Sequence, residues 1–158
     1  MNSRDLQHYI DEHHIQATIL PMDEHTPTVS DAARALGVET DQIIKSLVFQ
    51  VDSQPVLVVT NGLARVDRKK LAQYLGVGRK RVKFASPEQA LEITGYIVGS
   101  MPPFGHNRKL RTLVDASTVN LDVVFGGGGS IDAMMRLTSN ELLGVTDGEV
   151  VVLSESAE

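Results

Sequence analysis

Cysteine is absent from the chain. Without thiols there is no disulfide, no thiolate metal site and no cysteine nucleophile. The opening stretch MNSRDLQHYIDEHH is polar and mixed in charge, with no apolar core of the kind a secretion signal carries. No apolar run approaches the roughly 20 residues of a membrane helix. These absences together fit a cytoplasmic protein with no membrane partner. Catalytic signatures are also missing. No G-x-S-x-G elbow marks a serine nucleophile. His13, His14, His25 and His106 lack metal-binding spacing, so no metal or cofactor is expected.

What is present is enough to build a core. The chain has 158 residues, 42% of them hydrophobic, which fits one domain spanning 1–158. The net charge is −5, but it is unevenly distributed. Residues 1–64 carry net −6 and residues 112–158 net −7, whereas 65–111 hold 11 basic and 3 acidic residues, net +8. Such segregation can create an anion-binding face on an acidic protein, unless folding disperses the cluster.

Periodicity and turn chemistry outline the elements. Leu6, Tyr9, Ile10 and His13 recur at helical spacing over 3–13. QATIL reads as a strand and PMDEHTPT as a loop. Ser30 is positioned to cap a helix that Gly37 stops. Thr40 opens a short turn, and SLVFQV and PVLVVT flank a hairpin turn at DSQ. Asp67 caps RKKLAQYL, which ends at Gly76. RVKFA is a strand. Ser86, Pro87 and Gln89 form a cap, a first-turn proline and a capping box for a helix ending near Gly95. TLVD, LDVVF, AMMRL and EVVVL read as strands, with SNELLG as a short helix. The pattern predicts an α+β fold, with a mixed, mostly antiparallel sheet surrounded by helices.

Three stretches could carry chemistry. In QIIKSLVFQV, Lys45 interrupts an apolar run. On a strand beginning at Ser46, Lys45 is in phase with Leu47, Phe49 and Val51, so it either points to a cavity mouth or snorkels at a strand end. An inward lysine suits an anionic or carbonyl ligand. In GYIVGSMPPFGH, Pro102 and Pro103 stiffen a glycine-rich loop, which is a structural corner or a preformed binding wall. In FGGGGSIDA, four glycines follow an apolar strand. No Gly-Lys-Ser/Thr follows, so this is not a nucleotide phosphate loop. It is a turn, or backbone exposed to a site.

In order along the chain, DAARALGVETDQIIKSLVFQV, PVLVVTNGLARVDRKKLAQYLG, RVKFASPEQ, GYIVGSMPPFGH and the glycine-rich strand end before MMRLTSNELL resemble the YbaK/prolyl-tRNA-synthetase-associated domain family. The specific parts are the Lys45-Ser46 pair and the loop from Gly99 to Pro103. The resemblance implies a mixed, partly barrel-like sheet and a trans-editing enzyme. Such an enzyme hydrolyses the ester of mischarged tRNA, notably tRNA(Pro) carrying alanine, cysteine or serine. It implies that Lys45 is the essential lysine and that Gly99 touches the substrate through its backbone. A hydroxyl of the terminal ribose would assist an attacking water, which suits a chain with no evident nucleophile. Ser46, Phe49, Tyr96, Met101, Pro103, Phe104, Gly105, His106, Gly127 and Gly128 are the substrate-binding candidates. Where relatives often carry Ala-Gly or a histidine, this chain has GGGGS. Arg65, Arg68, Lys69, Lys70, Arg79, Lys80, Arg81 and Lys83 are the candidates for phosphate contacts along the acceptor end of tRNA. The expected partner is aminoacyl-tRNA, with an aminoacyl-tRNA synthetase as a further one and no DNA. A non-catalytic tRNA- or synthetase-binding module and a hydrolase of another small ester are the competing readings.

Overall fold

The computed structural model describes residues 1–23, 25–26 and 28–155. Among these residues two open sheets organise the fold. Strands β1 (Ala17–Pro21), β6 (Val123–Gly127) and β7 (Ala133–Thr138) form an antiparallel sheet in the order β1-β7-β6. Strands β2 (Ile44–Val51), β3 (Gln54–Asn61), β4 (Val82–Phe84), β5 (Arg111–Asp115) and β8 (Glu149–Val151) form a mixed sheet in the order β4-β2-β3-β5-β8. The β3–β5 and β5–β8 pairs are parallel. A bridge between Ile43 and Phe125 joins the two sheets. The sheets do not close, so the barrel-like expectation holds only as far as that bridge.

Among the described residues six α-helices surround the sheets: α1 (Ser3–Glu12), α2 (Val29–Leu36), α3 (Arg68–Leu75), α4 (Pro87–Thr94), α5 (Ala116–Val119) and α6 (Ser139–Thr146). Their starts follow from side-chain acceptors that satisfy the first free N–H groups. Asn2, Asp67 and Ser86 cap α1, α3 and α4. The cap of α2 is Thr28, not Ser30. The Thr28 hydroxyl accepts the Asp31 N–H at 3.0 Å from extended backbone, and Ser30 lies inside the first turn. The single turn of α5 was not foreseen. It is capped by Asp115, a buried carboxylate that also accepts the Leu153 and Ser154 N–H groups at 2.7 and 3.0 Å. Burial pushes the Asp115 carboxyl up, and these bonds together with one from Ser117 outweigh it and bring it down.

β2 begins at Ile44, two residues earlier than the pattern indicated, because the 3₁₀ turn Thr40–Gln42 ends sooner than a helix would. Strand alternation then divides the sheet. Ile44 and Val48, with Leu57 and Val59 opposite, face a core shared with Leu6, Ile10, Met135 and Leu142. Phe49 and Val51, with Val56 and Val58 opposite, face α3 through Leu71. A third cluster joins Ala32 and Ala33 of α2 to Ile43, Phe125 and Met134. Each fully buried side chain of this size contributes about 1.5–3 kcal/mol. The three cores meet along the first half of β2.

Candidate active site

A cavity of about 270 Å³ lies at that meeting point. It runs along the outer edge of β2. β4 covers this edge only from Phe49 to Val51, and Ile43 is bridged to β6. Between these two connections no described strand pairs with the edge. The Val48 carbonyl points outward and accepts the Ala85 N–H at 2.9 Å. By alternation the N–H and C=O of Ser46 point the same way, toward the cavity.

The cavity collects side chains from distant segments. Lys45, Ser46 and Leu47 of β2 line it, with Val98, Gly99 and Met101 from the loop after α4 and Gly127 from the end of β6. Its walls are completed by Val29 and Ala32 of α2, Met134 of β7, and Phe84, Ala85 and Ala90 around the β4–α4 connection. Only a few polar groups enter this apolar space. The Ser46 hydroxyl is buried and has no hydrogen-bond partner among the described residues. Outside the lining, Thr60, directly across the β2–β3 ladder from Lys45, also has a buried hydroxyl without a partner among the described residues.

Lys45 is half-buried at this site. Among the described residues no carboxylate lies within ion-pair distance of it. Burial, and secondarily the nearby Arg65 guanidinium, hold its ammonium below the usual lysine range. A cation that is partly desolvated and beside another cation favours an anionic group or a developing negative charge.

Two glycines shape the cavity in different ways. Gly99 has φ +95°, and a Cβ there would meet nothing within 4 Å. Gly127 is a point of backbone contact, where a Cβ would lie 2.2 Å from the Met101 carbonyl oxygen. A hydrogen bond from the Gly129 N–H to the Ser100 carbonyl, 2.9 Å, holds the same loop against the glycine run. The GGGGS stretch therefore lets two backbones touch, and Gly127 is the member of it that lines the cavity.

Other expected site residues lie elsewhere. Phe49 is in the core beneath α3. Tyr96 is fully buried, and burial followed by the Asp5 charge pushes its hydroxyl up to about 12. Pro103, Phe104, Gly105 and His106 face a separate hollow shared with Tyr9 of α1 and His13 just after it. His106 donates from Nε2 to the Pro102 carbonyl at 2.8 Å, and burial keeps its ring below the ordinary histidine value. Gly128 packs against the Ala133 backbone. The loop GYIVGSMPPFGH is thus a cavity wall in its first half and a structural corner in its second.

The basic residues cluster around α3 and β4. Arg68 donates to the Val82 carbonyl, Lys70 to the Ser154 carbonyl at 2.8 Å, and Arg81 pairs with Asp52. Lys69, Arg79, Lys80 and Lys83 are exposed. Arg65 is exposed near Lys45. Sequence reasoning missed Val29, Ala32, Phe84, Ala85, Val98 and Met134 as cavity residues, because they come together only through the pairing of β4 and the packing of α2.

Comparison with known proteins now places the chain. Residues 23–145 match the model of the aminoacyl-tRNA editing domain. The chain belongs to that family. It is 35% identical over 116 residues to the uncharacterized protein YwhH of Bacillus subtilis (strain 168), covering 73% of this chain and 72% of that one. It is 35% identical over 88 residues to the proline–tRNA ligase of Ligilactobacillus salivarius, a match spanning 56% of this chain but 15% of the ligase. A solved structure of a candidate trans-editing enzyme for prolyl tRNA synthetase superposes with a TM-score of 0.89 at 32% identity, over 98% of this chain and 97% of that one. Among the described residues no helix is long and apolar enough to cross a membrane.

Proposed function

We propose that this protein hydrolyses the ester joining a mismatched amino acid to tRNA, acting in trans, with tRNA(Pro) carrying alanine, cysteine or serine as its substrates. The observation that carries this reading is the convergence of Lys45 and Gly99, from segments far apart in the chain, on one small apolar cavity. At about 270 Å³ the cavity falls below the roughly 300–1,000 Å³ of pockets that enclose larger ligands, so it suits an amino-acid moiety rather than a whole aminoacyl nucleotide.

In this reading the amino-acid side chain enters the apolar cavity, while the ester lies along the open edge of β2. The Ser46 backbone and hydroxyl orient the ester and the amino group. Water adds to the carbonyl carbon, helped by a hydroxyl of the terminal ribose. The bond from that carbon to the ribose oxygen then breaks, releasing the free amino acid and a tRNA with its 3′-terminal hydroxyl restored. Lys45 stabilises the negative charge that develops as water adds, or holds the substrate's phosphate. Aminoacyl esters are activated, so positioning and charge stabilisation suffice without a protein nucleophile.

The test compares hydrolysis of alanyl-tRNA(Pro) with that of a small alanyl ester lacking tRNA. Turnover that requires tRNA supports the reading. Equal turnover of the small ester points to a general esterase, and tRNA binding without any turnover leaves a binding module.

A further inference from the structure

Three of the four phenylalanines are buried, Phe49 and Phe104 at 4% and Phe125 at 6% exposure, while Phe84 is 60% exposed. A single exposed apolar residue is ordinary on a protein surface. Phe84 differs from an ordinary one in its position. It lines the cavity that Lys45 lines, so it forms part of the rim, as does Val98 at 58% exposure. Its ring is also held in place, 5.3 Å from the ring of Phe49 and tilted by 35° to it. Phe84 lies opposite Phe49 in the β4–β2 ladder. Lys45 lies on the same face of β2, four residues earlier, or about 13 Å along a strand. That separation suits neighbouring parts of one nucleotide chain better than two sides of one functional group.

Charge indicates which kind of partner meets this aromatic surface. Arg79 and Lys80 lie in the turn before β4, Lys83 precedes Phe84 and by alternation projects from the opposite face, and Arg65 lies near Lys45. All four are exposed cations. An exposed, immobilised ring within a basic surface is the arrangement that binds unpaired bases, because a base offers a π-face to the ring and a phosphate to the cations. A cavity of about 270 Å³ suits the amino-acid moiety, which leaves the base at the rim.

We propose that Phe84 is a stacking platform for an unpaired base at the acceptor end of the RNA, positioning the ester over the cavity. This rests on the function proposed above, because the cavity must receive an aminoacyl group attached to RNA. In binding, Phe84 recognises a flat ring with little preference for base identity, and Val98 forms part of the same apolar lip.

The chain contains no tryptophan, so Phe84→Trp places a single indole at the rim. Titrating this variant with a short single-stranded RNA ending in CCA should quench its emission saturably. Phe84→Ala should weaken binding of the same RNA by roughly 5- to 150-fold at fixed salt, and the loss should vanish with an RNA whose 3′-terminal nucleotides lack bases. Phe84→Leu, which keeps the apolar contact with Phe49, serves if the alanine variant melts early, and it should show the same loss. Wild-type affinity for RNA in a folded Phe84→Ala or Phe84→Leu variant overturns the proposal, as does unquenched Phe84→Trp under saturating RNA. If the variants bind RNA normally but lose affinity for prolyl-tRNA synthetase, the rim is a protein-docking surface and the proposal fails. RNA binding is measured without turnover, so an inactive wild-type protein whose RNA binding still depends on Phe84 would refute the deacylase reading and leave the platform standing.

Discussion

Gly99 and Gly127 line the same cavity, yet replacing each by alanine should have different consequences. At Gly99 the added methyl meets nothing within 4 Å, so the cost comes from holding alanine at φ +95°, about 1–2 kcal/mol. The methyl would also project where the ester is proposed to lie. Gly99→Ala should therefore stay folded and lose deacylation by roughly ten- to a hundredfold. At Gly127 the methyl would collide with the Met101 backbone, which cannot move without displacing the loop. Gly127→Ala should lose about 3 kcal/mol or more of stability, read as a fall in the denaturant midpoint. Similar melting of the two variants would contradict this assignment. Much at this scale was legible in the sequence. Lys45 stood in phase with Leu47, Phe49 and Val51, and the fold sets it in the cavity lining. The role of the glycines was not legible, because GGGGS does not reveal that Met101 and Ala133 fill the space beside it.

Among the elements, β8 is a short parallel edge strand held to the sheet by side chains as well as by its ladder. Arg111 on β5 forks onto Glu149 at 2.8 and 2.9 Å, and Tyr74 of α3 donates to the same carboxylate at 2.8 Å. Arg111 first, and Tyr74 after it, bring the Glu149 carboxyl down to about 2 from its ordinary 4.5. A carboxyl whose value falls on folding contributes stability that is complete above 4.5 and lost as the pH drops toward 2. Glu149→Gln should therefore flatten the acid dependence of unfolding in that window. The effect should be small, because the group faces solvent. Denaturant midpoints at neutral pH and inside the window test this, and an unchanged acid slope would contradict it. Local signals set most element boundaries here. The Asp52-Ser53 turn has positive φ at both residues, 51° and 67°, as a two-residue hairpin loop requires. The parallel β3–β5 and β5–β8 pairings were not readable, since they join strands by long-range packing rather than by local turns.

At the scale of the whole molecule, the acidic chain of net −5 concentrates 11 of its 15 basic residues on 65–111, and folding brings one of them, Arg65, near Lys45 at the cavity. Not every cation is available to a ligand, since Arg68, Lys70 and Arg81 have partners within the protein. The sequence could locate the basic block but not sort its members. Arg79 and Lys80 are exposed on the turn before β4 and show no described ion pair. Arg79→Glu with Lys80→Glu should change stability by no more than about 0.5 kcal/mol. The same pair should weaken tRNA binding and reduce its salt slope by about 2. Unchanged affinity and slope would remove these residues from the tRNA-binding face.

Lys45 is proposed to act on an aminoacyl-tRNA ester at this cavity. The direct test is deacylation of tRNA(Pro) charged with alanine, serine, cysteine or proline by the wild type and by Lys45→Met. Methionine keeps the apolar stem and removes the partly desolvated charge, so the variant should melt no lower than the wild type. The wild type should clear at least one mismatched amino acid and spare proline, and Lys45→Met should lose that turnover. A folded Lys45→Met that deacylates like the wild type would contradict the account.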